Sequence, residues 1–366
     1  MNLQTKTFGR FFLPGPTEVR PEVLEAMMQP MIGHRVREME DLMSHIQPGL
    51  RYIFRTDRPV YVSASSATGL MEGAVRNGVR RRVLCLVNGA FSERFYKIAA
   101  STGLEADPLE VEWGGVNTPD ALQKALRRGI YDAVTVVHSE TSTGVLNPIK
   151  ELAEVTRRAG DVVLLVDTVS SMAGCQIDTD AWGIDFVLTG SQKSFALPPG
   201  LAFGVAQPNI LERAKTKPDR GIYFDFLEFE KNIVKNQTPN TPAVSLMYAL
   251  AAQLDAIKEE TIEGRWARHS AMAQRTYEWV DEMRERGAPL EILAPEGFRS
   301  PTVTTIKTAD PWNGPKLAAE AKARGFVIAT GYGKLKDSTF RIGHMGDHTV
   351  EELDELLSVL EDILIR

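Results

Sequence analysis

Short apolar runs recur along the chain at Val60 to Ser63, Val83 to Asn88, Leu104 to Val111, Ala133 to His138, Val162 to Asp167, Phe186 to Thr189 and Leu201 to Ala206. Segments with apolar spacings of three and four fall between them, such as Thr118 to Arg128 and Pro148 to Ala159. Strand-like runs alternating with amphipathic helices are the signature of an α/β fold built on a wound, mostly parallel sheet. Thr118-Pro119 and Asn147-Pro148 open two of those helices, so Thr118 and Asn147 read as N-caps ahead of a proline in the first turn. Beyond Pro242 come a long helical stretch, Ala243 to Glu260, and a charged amphipathic one, Gly264 to Arg286. The pattern then changes to Thr302 to Lys307, Lys316 to Arg324, Val327 to Thr330, Thr339 to Ile342 and a terminal helix, Thr349 to Ile365. The boundary is therefore expected near Gly264, with a larger unit at 1–264 and a smaller α+β unit at 265–366. A chain of 366 residues with 43% hydrophobic content has material for two cores.

Open α/β sheets present ligands at the carboxyl ends of their strands. Two of the apolar runs end on chemistry. Asp167 closes Asp161-Val-Val-Leu-Leu-Val-Asp167, and Lys193, 26 positions later (193 − 167), follows Asp185-Phe-Val-Leu-Thr-Gly190 in the triplet Ser191-Gln192-Lys193. Singly, an Asp is an ordinary cap and a Lys an ordinary surface residue. Together at one sheet edge they supply a carboxylate for a pyridinium nitrogen and an amine for a Schiff base, which points to pyridoxal 5′-phosphate.

Other segments reach the same edge. Ser63-Ala-Ser-Ser66-Ala67-Thr68-Gly69 lies between a strand and a helix, where free N–H groups and hydroxyls could cradle a phosphate, or where the hydroxyls simply cap the helix. Phe91, in Asn88-Gly-Ala-Phe91-Ser-Glu-Arg-Phe95, could stack on a flat ring or be a plain core residue. In His138-Ser-Glu-Thr-Ser142-Thr-Gly144, read as a helix-free loop, Ser142 or Thr143 could bond a phenolic oxygen or satisfy its own backbone. Arg341, in the apolar Phe340-Arg341-Ile342-Gly343, needs a carboxylate, either a substrate's or an internal one.

His344 and His348 stand four apart, but the glycines around them indicate a turn, so no metal is expected. Motifs of zinc peptidases, serine hydrolases and nucleotide hydrolases are absent from the sequence. Net charge is −6, with no polybasic block beyond Arg80-Arg81-Arg82, so neither nucleic acid nor membrane is an expected partner. Met1 to Thr7 carries no apolar leader, which leads to the expectation of a cytoplasmic protein. Cys85 and Cys175 have neither metal nor disulfide spacing and read as small apolar fillers.

Read in order, Pro14-Gly15-Pro16-Thr17, Ser66-Ala67-Thr68, Asn88-Gly89-Ala90-Phe91, Glu140-Thr-Ser142-Thr-Gly144, Val166-Asp167-Thr168-Val169-Ser170, Ser191-Gln192-Lys193 and Leu197-Pro198-Pro199-Gly200 resemble the class V aminotransferases. Within them the chain is similar to the alanine-glyoxylate and serine-pyruvate enzymes. The likeness continues through Gln237-Thr-Pro-Asn-Thr241-Pro242 and Arg341-Ile-Gly343. It implies fold type I, a seven-stranded sheet with helices on both faces plus the smaller unit, and a homodimer with its active sites at the interface. It implies Lys193 as the Schiff-base lysine, Asp167 under the pyridine nitrogen, Val169 against one ring face and Phe91 on the other. Ser66, Ala67, Thr68 and Gln192 would hold the phosphate, Thr241 would reach in from the second subunit, and Ser142 would lie near the ring oxygen. Arg341, with Gly15 nearby, would bind the substrate. The implied reaction is a ping-pong transamination from alanine or serine to glyoxylate or pyruvate. Aspartate, phosphoserine or 2-aminoethylphosphonate would instead need basic residues such as His34, Arg35, Lys334 or Lys336 for a second acidic group. A desulfurase would need a cysteine in the smaller unit, which has none, and a non-catalytic module would be expected to lose Lys193 or Arg341.

Overall fold

The structure, a computed structural model, describes residues 8–365. The leader reading of Met1 to Thr7 lies outside those residues. The chain begins with β1 (Phe11–Phe12), α1 (Pro21–Ala26) and α2 (Arg37–Phe54). The wound part follows as β2 (Tyr61–Ser63), α3 (Ala67–Gly78), β3 (Arg82–Val87), α4 (Ala90–Ser101), β4 (Glu105–Glu110), α5 (Pro119–Arg128) and β5 (Ala133–Val137). A hairpin of β6 (Ser139–Glu140) and β7 (Val145–Leu146) interrupts it before α6 (Ile149–Arg158), β8 (Val163–Asp167), α7 (Thr179–Trp182), β9 (Phe186–Gly190) and β10 (Ala202–Ala206). Then come α8 (Pro208–Lys215), α9 (Phe226–Ile233), α10 (Val244–Glu260) and α11 (Ile262–Glu285). The remainder is β11 (Leu290–Ile292), β12 (Thr304–Thr308), α12 (Gly314–Ala323), β13 (Val327–Thr330), β14 (Thr339–Ile342) and α13 (Val350–Leu364).

The large sheet has seven strands in the order β2-β10-β9-β8-β5-β3-β4, with β4, β3, β5, β8 and β9 parallel and β10 antiparallel to both its neighbours. The central strands AVTVV and VLLVD are buried at every position, as β-branched runs covered on both faces should be. β4, EADPLE, is half polar and carries Pro108, which suits an edge. Alternation sorts the side chains: Leu164 and Val166 join one core with Leu50, Leu152 and Leu250, while Val163 and Leu165 join another with Leu70, Phe95 and Ile210. Helices therefore cover both faces, and the alternation puts Asp167 on the face of α3 and α4.

The smaller sheet has the order β1-β13-β14-β12-β11 and packs around Trp279, Leu317, Leu353 and Leu357. Its edge strand β1 pairs in parallel with β13, Phe11 opposite Val327. That strand comes from the chain's first residues, not from 265–366. The break between the long helices falls at Thr261, whose φ of +66° turns the chain and whose hydroxyl accepts from Gly264 N at 3.0 Å; α11 then runs through position 264 unbroken.

Thr118 caps α5, its hydroxyl accepting from Ala121 N at 3.3 Å. Asn147 does not cap α6, which starts at Ile149 after Pro148. Its side chain instead accepts from Asn117 N at 3.0 Å and donates to Val137 O at 2.8 Å, tying loops to the end of β5. No helix among the described residues is long and apolar enough to cross a membrane.

Candidate active site

A cavity of about 330 Å³ opens at the carboxyl edge of β5, β8 and β9. One end is formed by Ser66, Ala67 and Thr68 at the start of α3. Ser66 holds the N-cap position, yet its hydroxyl makes no capping bond. The first N–H groups of a helix have no partners within it, and the dipole there favours an anion. Phe224 packs over this turn so closely that a Cβ on Gly69 would stand 2.3 Å from its ring.

Asp167, Val169, Gln192 and Lys193 line the sheet side of the cavity. Asp167 is 2% exposed and accepts from Val169 N at 2.7 Å. Burial raises its carboxyl to about 7, against the Val169 N–H that lowers it. Lys193 is 7% exposed, its Nζ donates to Pro14 O, and it lies 5.8 Å from the centre of the Phe91 ring. Burial, then the Arg341 charge, lowers its amine to about 7. Gly15, at φ +94°, makes this packing possible: a Cβ there would lie 2.6 Å from Lys193 Cε.

Phe91 lines the cavity and meets Tyr332 at 5.4 Å, tilted by 39°. Arg341 is 7% exposed and donates to Thr330 O at 3.0 Å and Thr141 O at 3.1 Å. Among the described residues no carboxylate pairs with it, so the internal ion pair is not what it finds. Burial lowers its guanidinium to about 10.

Ser142 departs from expectation. It is fully buried, its hydroxyl donates to Glu140 Oε1 at 2.6 Å and accepts from Ala90 N at 3.0 Å, and it does not line the cavity. The segment is a hairpin, not a loop, and its turn sends Thr141 to the cavity instead. Thr241 is exposed and lines a separate hollow with Ser63 and Tyr223. Arg35 donates to Thr238 O at 2.7 Å and Pro239 O at 3.0 Å, and Lys334 lies over the Trp113 ring at 4.6 Å. Neither these nor His34 and Lys336 line the cavity. His344 bonds Thr304 and Pro301, His348 bonds Glu352 and Phe11 O, and no metal-binding cluster occurs among the described residues.

Two residues quoted in the motifs but given no role stand out. Glu140 is fully buried and accepts from Ser92 N at 2.9 Å, Ser92 Oγ at 2.9 Å and Phe91 N at 3.2 Å, anchoring the start of α4 beneath the aromatic ring. Arg94 lines the cavity, with its guanidinium 4.9 Å from the Phe91 ring centre and a bond to Tyr332 Oη at 3.3 Å. The only local signal for Glu140 is a charged residue among hydroxyls.

The Asp167 carboxyl has a measurable consequence. Its ordinary value is 3.8, so between about 3.8 and 7 the folded chain holds a proton that the unfolded chain has lost, and stability falls as pH rises through that window. In the cofactor-free protein, Asp167→Asn is expected to gain melting temperature over the parent as pH rises from about 4 to 7, with a constant gap above. A gap independent of pH in thermal unfolding would contradict the burial penalty on Asp167.

The chain is similar to several known proteins along most of its length. The aminotransferase class-V family profile matches residues 73–311. An uncharacterized aminotransferase of Methanocaldococcus jannaschii is 40% identical, over 95% of this chain and 91% of its own. A serine–glyoxylate aminotransferase of Methylorubrum extorquens is 31% identical, over 94% and 88%. The solved alanine–glyoxylate aminotransferase of Nostoc sp. superposes with a TM-score of 0.91 at 29% identity, covering 100% of this chain and 98% of that one.

Proposed function

We propose, from the premise that this chain belongs to the class V aminotransferases, that it moves an amino group from alanine or serine to glyoxylate or pyruvate by a ping-pong cycle. The family implies pyridoxal 5′-phosphate. The observation that carries the proposal is one cavity lined by a buried amine of lowered basicity and a buried carboxylate, with Arg341, which has no carboxylate partner among the described residues, just behind its wall on Thr141 O.

The residues present fit the cofactor. Ser66, with a hydroxyl not spent on capping, the N–H groups at Ala67 and Thr68, and Gln192 suit its phosphate. Phe91 and Val169 offer apolar surfaces to a ring, and Asp167 offers a carboxylate to its nitrogen. When bound, the cofactor supplies an aldehyde that joins amines covalently and a ring that accepts an electron pair.

Lys193 would be the residue that holds that aldehyde. An incoming amino acid is positioned by its carboxylate on the Arg341 fork, whose backbone contacts leave N–H donors to spare. The Lys193 amine, brought to about 7 and so in good part unprotonated at neutral pH, would take up the substrate's α-proton and later give it back. Asp167 would face the ring nitrogen, and as a carboxylate there it would favour electron withdrawal. The second half-reaction runs the same groups in reverse with the 2-oxo acid. In the homodimer that the family resemblance implies, Thr241, exposed in a single copy, would serve the second copy's phosphate.

Desulfurase chemistry is disfavoured: Cys85 is fully buried in β3, where burial pushes its thiol up to about 12, and neither cysteine lies in 265–366. The test is to add single amino acids to the cofactor-loaded protein and follow its visible band, near roughly 410–430 nm for a lysine-bound cofactor. Alanine or serine should convert the band, and glyoxylate or pyruvate should restore it. Conversion only by aspartate, phosphoserine or 2-aminoethylphosphonate would overturn the specificity and leave the chemistry. Failure to form a band would remove the catalytic reading.

A further inference from the structure

The turn after β9 carries Lys193, and the carbonyl oxygens of Ser191, Gln192, Lys193 and Ser194 are all engaged. Ser191 O accepts from Leu197 N at 3.1 Å and Gln192 O from Thr17 N at 3.0 Å. Lys193 O accepts from Ala196 N at 2.8 Å and from the Thr17 hydroxyl at 3.2 Å. Ser194 O is held differently, by Arg265 Nη2 at 2.7 Å and Nε at 3.3 Å. The first three oxygens take neutral bonds; this one takes a charged fork from the first turn of α11.

The Arg265 side chain is 1% exposed, so its charge must be paired. Its third nitrogen, Nη1, donates to Asp347 at 2.7 Å and to Glu260 at 3.0 Å. Asp347, 5% exposed, also accepts from Arg20 at 3.0 Å and Gln253 at 3.1 Å. It lies five residues (347 − 342) past β14, the strand that carries Arg341. Next to it, Gly346 donates to His269 Nε2 at 3.1 Å, and a Cβ there would stand 3.3 Å from Ala196 Cβ. The turn after Arg341 thus packs on the turn of Lys193.

Asp347 and Glu260 already answer the charge of Arg265. Two further N–H donors spent on one peptide oxygen beside Lys193 serve geometry. We propose that Arg265 is a positioning residue: by holding the Ser194 carbonyl with one edge of its fork and Asp347 with the other, it sets the spacing between the Lys193 amine and the Arg341 guanidinium. The inference rests on the proposed roles of Lys193 and Arg341. It adds that substrate carboxylate and amine are brought into register by a group that touches neither.

Arg265→Lys tests it, because an ammonium keeps a cation beside Asp347 and Glu260 but loses the planar fork. On the cofactor-loaded enzyme, kcat is expected to fall about tenfold to a hundredfold, as for a misplacement near 1 Å, with a smaller change in KM for the amino donor. The pH midpoint of the visible band should move with it. A lower melting temperature with wild-type kcat and midpoint overturns the proposal, and so does a fall in kcat with the midpoint unmoved. If Arg265→Lys fails to fold, Asp347→Asn, which unties only the far edge of the fork, must shift both kcat and midpoint; wild-type values there overturn it equally. Lys193→Ala separates the two readings. A visible band that survives in Lys193→Ala removes the role of Lys193, whereas its loss there beside a wild-type Arg265→Lys removes only the positioning role.

Discussion

Lys193→Ala is expected to lower kcat for transamination by at least about 10⁴-fold while leaving the fold intact, since one group serves as both the cofactor's anchor and the proton carrier. The motive is its environment. Burial, reinforced by the Arg341 charge, brings the amine to about 7, so a large share of it is a free base at neutral pH. A lysine in water would be almost wholly protonated and a poor nucleophile. The Pro14 carbonyl and the absent side chain of Gly15 hold it at the cavity wall. Single-turnover conversion of alanine, with circular dichroism as the folding control, is the measurement. Retention of more than about a tenth of the wild-type rate would move the chemistry to another group.

Asp167→Asn comes next, with an expected loss of about 10²- to 10³-fold in kcat/KM, the usual scale for removing one preorganised electrostatic partner in a site closed to water. The amide keeps the shape of the carboxylate but carries no negative charge. Among the described residues one N–H, from Val169, holds the Asp167 carboxylate, which leaves its other oxygen for a ligand. Left empty, the site keeps this carboxyl near neutrality at about 7, and a cationic ring nitrogen would draw it to the ionised form. The variant should also lose cofactor faster on dialysis. Activity within about threefold of wild type would mean that Asp167 does not face the ring nitrogen.

Much of this arrangement was legible in the chain because it rests on local patterns. β13 and β14 span the very runs Val327 to Thr330 and Thr339 to Ile342, and Asp167 and Lys193 lie at or just past strand ends because parallel strands stop where their apolar runs stop. What escaped is non-local. β1 is two residues long and has no signal without β13 beside it. In the hydroxyl-rich segment from His138 to Gly144 any of several side chains could face the cavity, and only the hairpin register decides that Thr141 does and Ser142 does not. Asn147 looks like a cap because of the proline after it, yet two neighbouring loops and the end of β5 compete for its amide. Arg265 sits on a helix rich in charged residues, and nothing in its spacing sets it apart.

The parallel pairing of Phe11 with Val327 gives the order of synthesis a physical meaning. A ribosome releases Pro14, Gly15 and Thr17 early, but the edge strand just ahead of them has nowhere to dock until β13 has emerged, 316 residues after Phe11 (327 − 11). The large sheet can collapse around its own helices before that, presenting Lys193 without its lid of early residues. A nascent chain would therefore hold Lys193 beside an uncovered edge, and a strand translated that much later is what lets the earlier segment close over it.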